Sequence, residues 1–303
     1  MKALWIIPSP SQQKRRNVVL QSMTVSDFNW EFAGTHFHGM QWRPEKFGSL
    51  FIIIHGIGEH VGRYTHVARF FAEEGYLVAG IDHYGHGKSD GKPGASKTLD
   101  EIFDYVDAFI GHMQHVYRMP VVLYGHSMGG GILTGFLLHR HPRVKAAIIS
   151  APALIVARNP NALLRGVLGI GAALFPHLRI AQGLDIHKIS HDPAEIEKFT
   201  ADPLRHDKAS LRLLHLLVSN GRWCLEHAGR LQVPALLLHG DADEFTSVAG
   251  SRTFAERAPK QLLTYKEWKG FYHEMHNEPE KMQVLQFMAG WLSHLPGAAP
   301  PVT

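Results

Sequence analysis

Cysteine is almost missing from this chain. Its 303 residues hold one, Cys224, which excludes an internal disulfide framework and any metal site built from cysteines. Long hydrophobic runs are missing as well. Residues 1–7 carry one lysine and a short apolar stretch ended by Pro8. That is too short for the apolar region of a secretory signal and far too short to span a bilayer. No other stretch approaches a charge-free span. Charge is also scarce, with 19% of residues charged and a net +4, modest and spread out. Such a balance gives no nucleic-acid footprint and only a weak attraction to anionic membranes. Internal repeats and low-complexity segments are lacking. These absences point to a cytoplasmic protein, with peripheral membrane contact left open.

What remains is an ordinary globular composition, 45% hydrophobic. It is long enough for one large α/β domain with an insertion, or for two small domains. The 22 histidines are numerous but scattered. Strand patterns fall at residues 23–32 and 35–42, with Ala33-Gly34 as the turn between them. The short apolar run at 50–54 is of the parallel-sheet kind. A helix follows near 64–74, stopped by Gly75, then a strand at 76–81 and a long amphipathic helix at 99–117. Residues 146–149 form another buried strand. Alternation of strand and helix from 50 to 150 predicts a parallel sheet with helices on both faces.

The rhythm then breaks. No strand is expected from 154 to about 206. Residues 162–175 are apolar with interspersed glycines and one charge, Arg165. They fit either a buried helix pair or a cap that meets a greasy ligand. A helix at 207–228 follows, with Leu211, Leu214, Leu217 and Val218 on one stripe. Strands at 235–238 and 262–268 and a closing helix at 279–295 complete the pattern. The expected division is one domain over 1–303: a loose arm at 1–22, core at 23–150 and 207–295, a cap at 151–206 and a tail at 296–303.

The chemistry centres on residues 121–139. A buried strand at 121–124 runs into Gly125-His126-Ser127-Met128-Gly129, and a helix follows from Gly130. Strand, G-x-S-x-G turn and helix make a nucleophile elbow. Small residues at Gly125 and Gly129 let strand and helix approach closely beneath an exposed serine. The helix aims free N–H groups at the site, which places the Met128 N–H where an oxyanion donor is needed. Such a serine needs an acid and a histidine. Asp241, Asp243 and Glu244 follow the strand at 235–238, and His273 and His276 follow the last strand. The order Ser, Asp, His is the one used on α/β-hydrolase sheets.

The whole set of segments resembles the monoacylglycerol lipase and lysophospholipase group of the α/β-hydrolase superfamily. The resemblance lies in His55-Gly56-Ile57-Gly58-Glu59-His60 with Arg63-Tyr64, the loop from Asp82 to Gly91, the elbow, Ala201-Asp202-Pro203, His239-Gly240-Asp241-Ala242-Asp243 and Tyr272-His273. It covers roughly residues 25–295 and is weakest in the cap. It implies an α/β-hydrolase fold with a helical lid and no cofactor. It also implies Ser127 as nucleophile, Asp243 as acid, His273 as base, and the N–H groups of Ile57 and Met128 as oxyanion donors. The base then needs a pKa on the order of 6–7. Glu59 and Arg63, four apart, read as an ion pair that could hold the oxyanion loop or a glycerol hydroxyl. With His126 they are the candidate substrate-binding residues, although His55 and His126 also fit structural hydrogen bonds. Asp82 fits a loop tie.

The implied activity is hydrolysis of single-chain lipid esters, monoacylglycerol above all, with transient membrane contact through the cap. A lysophospholipase, a short- or medium-chain carboxylesterase or a thioesterase would share the same triad. A non-catalytic hydrolase fold that binds a partner is the alternative of another class. Two false matches drop out. Gly56-Ile57-Gly58 lacks its third glycine at position 61, so dinucleotide binding fails. His273-Glu274-Met275-His276 spaces its histidines by three after a strand, where a zinc protease needs four on a helix.

Overall fold

A computed structural model describes residues 23–156 and 160–295. The expected arm at 1–22 and tail at 296–303 lie outside the described residues. The described chain opens on a hairpin, Thr24–Phe32 (β1) and Thr35–Arg43 (β2), paired antiparallel. Ala33 and Gly34 turn it with φ of 48° and 69°, the left-handed pair that matches strand twist in a two-residue turn. Next come Ser49–Ile54 (β3), Thr65–Glu73 (α1), Tyr76–Ile81 (β4), Leu99–Tyr117 (α2), Val121–His126 (β5), Met128–Arg140 (α3) and Ala146–Ser150 (β6). The intervening segment holds Ala162–Leu174 (α4), Arg179–Ala181 (β7), Pro193–Ala201 (α5) and Lys208–Ser210 (β8). Leu211–Glu226 (α6), Ala235–Gly240 (β9), Val248–Arg257 (α7), Leu263–Trp268 (β10) and Lys281–Ser293 (α8) follow.

The main sheet has the order β1-β2-β4-β3-β5-β6-β9-β10. From β4 to β10 every pairing is parallel, while β2 joins β4 antiparallel. Strands β3, β5, β6 and β9 are buried along their whole length, as continuous apolar runs covered on both faces should be. Alternation within β3 shows the two layers. Leu50, Ile52 and Ile54 face a core shared with Phe103, Phe109, Phe136, Leu213 and Phe254. Phe51 and Ile53 face the other, with Val67, Phe71, Leu285 and Met288. The fold is that of an α/β hydrolase, and the strand ends that matter all emerge at one edge of this central sheet.

Four expectations shift. A strand does occur between 154 and 206: β7 pairs antiparallel with β8. Three residues are too few to show a period of two. Helix α7 lies where no helix was expected, because its buried face is Gly250, Ser251 and Phe254, with one bulky apolar residue. Residues 162–174 form a single helix with no buried residue, which removes the buried helix pair. The entry to α1 is also a separate 3-10 turn, Val61–Tyr64.

Candidate active site

The elbow follows from steric limits. Ser127 sits at φ 55° and ψ −117°, a strained backbone that costs on the order of 1–3 kcal/mol. The surroundings enforce it. A Cβ on Gly125 would meet the Gly129 carbonyl oxygen at 2.6 Å, and one on Gly129 would meet those of Ile54 and His55 at 2.0 and 2.5 Å. Backbone bonds pin the turn: the Ser127 N–H donates to the Ser150 carbonyl at 3.0 Å, and the Ser127 carbonyl accepts from Gly131 at 2.9 Å and Ala153 at 3.0 Å. Met128 is the first residue of α3, so its N–H has no partner within the helix. The dipole of α3 points its positive end at the serine.

Three side chains converge there. His273 Nε2 lies 2.8 Å from Ser127 Oγ, and His273 Nδ1 lies 2.7 Å from Asp243 Oδ2. The carboxylate of Asp243 is wholly enclosed. It accepts the N–H groups of Phe245 and Thr246 and the Thr246 hydroxyl, and His239 Nε2 stands 3.1 Å away. Burial opposes its charge, but His273 and His239 prevail and hold its pKa far below the usual carboxylate range. His273 is likewise enclosed. Burial disfavours its charged form, yet the nearby charge and hydrogen bond of Asp243 prevail and raise its pKa. A hydroxyl, an imidazole and a carboxylate in one hydrogen-bonded line is the arrangement that makes a serine nucleophilic.

The competing candidates go elsewhere. Asp241 accepts the Gly270 N–H at 2.6 Å, and Glu244 pairs with Lys188 at 2.8 Å on the surface. His276 stacks on Tyr64, and its Nδ1 lies 3.3 Å from the Tyr124 hydroxyl. Asp82 does tie its loop, accepting from the N–H groups of Val61 and Lys88 and meeting His38 Nδ1 at 2.9 Å. His55 Nδ1 donates to the Gly56 carbonyl at 2.8 Å while its Nε2 accepts the His83 N–H.

Glu59, Arg63 and His126 form the wall behind the triad. Oε1 of Glu59 accepts the Gly56 N–H and the Tyr64 hydroxyl, and Oε2 accepts from Arg63 at 2.6 Å. His126 is buried between the rings of His273 and His276, at 4.8 and 4.7 Å between centroids, and burial pushes its pKa well down. The Glu59 carboxylate is thus engaged inside the protein, and His126 Nδ1 lies 3.4 Å from Ser150 Oγ. Ile57, half-buried, follows Gly56 on the turn that faces the elbow. Sequence reasoning missed Glu274, whose carboxylate takes both Nη atoms of Arg63 at 2.8 and 2.9 Å. It stands in the segment dismissed as a zinc motif, and only its adjacency to His273 could have marked it.

Comparisons with known proteins identify the family. The family described as serine aminopeptidase, S33, matches residues 46–280. The chain is 33% identical over 258 residues to a monoacylglycerol lipase of Mycolicibacterium smegmatis, covering 84% of this chain and 92% of that protein. It is 31% identical over 262 residues to the monoglyceride lipase of Rattus norvegicus, covering 84% and 85%. The crystal structure of the monoacylglycerol lipase of Paleococcus ferrophilus matches with a TM-score of 0.76 and 28% identity, over 84% of this chain and 97% of that one. With its mostly parallel sheet and its elbow serine, the chain belongs to the α/β-hydrolase family described as serine aminopeptidase, S33.

Proposed function

We propose that the protein is a serine carboxylic ester hydrolase that cleaves single-chain lipid esters, monoacylglycerol foremost, to fatty acid and alcohol. The observation that carries this reading is the line Ser127–His273–Asp243, with contacts of 2.8 and 2.7 Å. His273 Nε2 takes the Ser127 proton as Oγ attacks the ester carbonyl carbon. The N–H groups of Ile57 and Met128 hold the tetrahedral oxyanion, each contributing roughly 3–4 kcal/mol. Collapse breaks the bond to the leaving oxygen, which receives the proton from His273 and departs as glycerol. Water, activated by the same imidazole, then attacks the acyl-serine ester and releases the fatty acid. Asp243 keeps the imidazole in one tautomer and stabilises its charged form throughout.

Lipid preference over small esters rests on relatives named as monoacylglycerol lipases and on the segment 151–206, read as a cap. Its helix α4 exposes Leu163, Leu164, Val167, Ile170 and Leu174, an apolar stripe suited to transient docking on a membrane surface. Among the described residues no helix is long and apolar enough to cross a membrane.

The test is a hydrolysis panel of monoacylglycerols, diacylglycerols, lysophospholipids, aryl esters of graded chain length and an aminoacyl anilide, with Ser127→Ala as blank. Monoacylglycerol should rank first by kcat/KM, and the blank should lose several powers of ten. Lysophospholipid or short aryl ester in first place would move the substrate class. Failure of a fluorophosphonate to label Ser127 would point instead to a non-catalytic binding fold.

A further inference from the structure

We propose that Arg63 is a positioning residue: through two buried carboxylates its guanidinium joins the turn that carries the Ile57 N–H to the loop that carries His273, and so sets oxyanion hole and base in register with Ser127. The inference rests on the ester-hydrolase reading above and concerns how that site is held.

Arg63 lies in the 3-10 turn Val61–Tyr64. Its Nη1 donates to Glu59 Oε2 at 2.6 Å and to Glu274 Oε1 at 2.8 Å, and its Nη2 donates to Glu274 Oε2 at 2.9 Å. Each carboxylate reaches on to a different part of the site. Glu59 holds the Gly56 N–H, one residue before Ile57. A Cβ on Gly56 would stand 2.6 Å from Glu59 Oε1 and 3.3 Å from Ser127 Cβ, so this backbone lies close against both the carboxylate and the nucleophile. Glu274 is the residue after His273. Its Oε2 also accepts from Asn277 Nδ2 at 2.7 Å, its carbonyl accepts the Asn277 N–H at 2.7 Å, and its own N–H donates to the Ile189 carbonyl at 2.8 Å. The histidine loop is thereby fixed on both sides of the chain. Phe199 of α5 covers the guanidinium, 4.4 Å from ring centroid to Cζ.

The physical cost of the cluster supports a functional reason for it. The side chains of Arg63, Glu59 and Glu274 are only 10%, 4% and 5% exposed. Removing three charges from water is expensive, and a well-packed apolar trio is often at least as stable. An apolar trio could not hold the Gly56 N–H or bridge two loops 211 positions apart. A guanidinium can serve two carboxylates through a rigid planar fork, whereas an ammonium is a single point of charge. Catalytic groups misplaced by about 1 Å can lose about a hundredfold in rate. Two carboxylates and one guanidinium also leave one net negative charge beside His273, the sign that favours proton transfer onto the imidazole.

The experiment compares Arg63→Lys and Glu274→Gln with the wild-type chain. It measures thermal unfolding, steady-state hydrolysis of a p-nitrophenyl ester, and inhibition by two probes. One is an alkyl trifluoromethyl ketone, which forms a tetrahedral adduct on Ser127; the other is an alkanol of the same length, which occupies the acyl site unreacted. In folded variants kcat should fall on the order of ten- to hundredfold while KM stays within about threefold. The ketone's inhibition constant should rise by the same factor as kcat/KM falls, and the alkanol's should not move. Glu274→Gln keeps the Glu59–Arg63 pair, so it decides the matter if Arg63→Lys does not fold. Wild-type kcat in a folded variant, a loss confined to KM, or an unmoved ketone constant beside a lowered kcat overturns the proposal. Failure of both variants to fold overturns it too, because the trio then serves stability alone. A wild-type chain with neither ester turnover nor labelling of Ser127 overturns the functional reading beneath it, a result distinct from all of these.

Discussion

The Asp243 carboxylate stands 2.7 Å from Nδ1 of His273, and that contact sets it apart from the acids on either side. Asp241 is two positions away and faces the Gly270 N–H instead. Replacing Asp243 by Asn puts an amide where the imidazole N–H needs an acceptor, and it removes the charge that stabilises imidazolium. We expect Asp243→Asn to lower kcat by roughly 10⁴. Asp241→Asn keeps an acceptor for Gly270 and should change kcat by less than about threefold. Steady-state rates on one aryl ester check the ranking, and its reversal would mean that the acid is misassigned.

Activity should depend on pH through His273, which must be neutral to accept the Ser127 proton. Its burial disfavours the charged form, but Asp243, and behind it Glu274 and Glu59, outweigh burial and raise the pKa. The acidic limb of kcat/KM should therefore fall above the ordinary imidazole value of about 6.5. In Asp243→Asn the largest raising influence is gone, and the residual activity should keep its acidic limb at lower pH. A profile from pH 5 to 9 measures both. A wild-type limb below about 6.5 contradicts the electrostatic account.

Stability should move with pH in a way set by other histidines. His83, His86, His126 and His276 are enclosed, and burial holds each well below its usual pKa. Below pH of about 6.5 these groups bind protons in the unfolded chain but not in the folded one. Unfolding then takes up protons, so the stability they contribute is present above that pH and is lost as pH falls. Each contributes a slope of up to about 1.4 kcal/mol per pH unit. The thermal midpoint should drop steeply between pH 7 and 5, with an uptake of at least about two protons on unfolding. His38, whose pKa Asp82 raises despite partial burial, opposes this weakly. A midpoint that stays flat over that range refutes the assignment.

Legibility in the sequence followed the strength of local signals. Strands β4 and helix α2 coincide with their expected limits, since one is a continuous apolar run and the other a long stripe capped by Thr98 and Glu101. The elbow was readable because its glycines and its strained serine are steric necessities. Choosing Asp243 from three neighbouring acids needed the family resemblance, because carboxylates in a turn look alike until a fold aims them. Glu274 had only its adjacency to His273 to mark it, because its partner Arg63 lies 211 positions away. The short ribbon of β7 and β8 carries too few residues for any periodic signal, and α7 hides a small-residue face against the core.

The exposed helix α4 offers a prediction that separates docking from chemistry. Leu163, Val167, Ile170 and Leu174 recur at intervals of four, three and four, which places them on one side of the helix. Leu163 and Ile170 are 79% and 64% exposed. Arg165 is the one charge in the helix, so the attraction to a bilayer should be mostly hydrophobic and should respond little to salt. Full burial of a Leu or Ile side chain is worth about 1.5–3 kcal/mol. Replacing Leu163 and Ile170 together by Ser should therefore weaken binding to neutral phosphatidylcholine vesicles by at least about tenfold, since 1.4 kcal/mol already gives that factor. Hydrolysis of a water-soluble short-chain ester should stay within about twofold, because the substituted side chains lie on the solvent side of α4. Hydrolysis of monoacylglycerol presented in vesicles should fall with the binding. If the double variant binds vesicles as well as the wild type, α4 is not the docking face. If the soluble ester suffers equally, the helix shapes the active site itself and the two roles cannot be divided in this way.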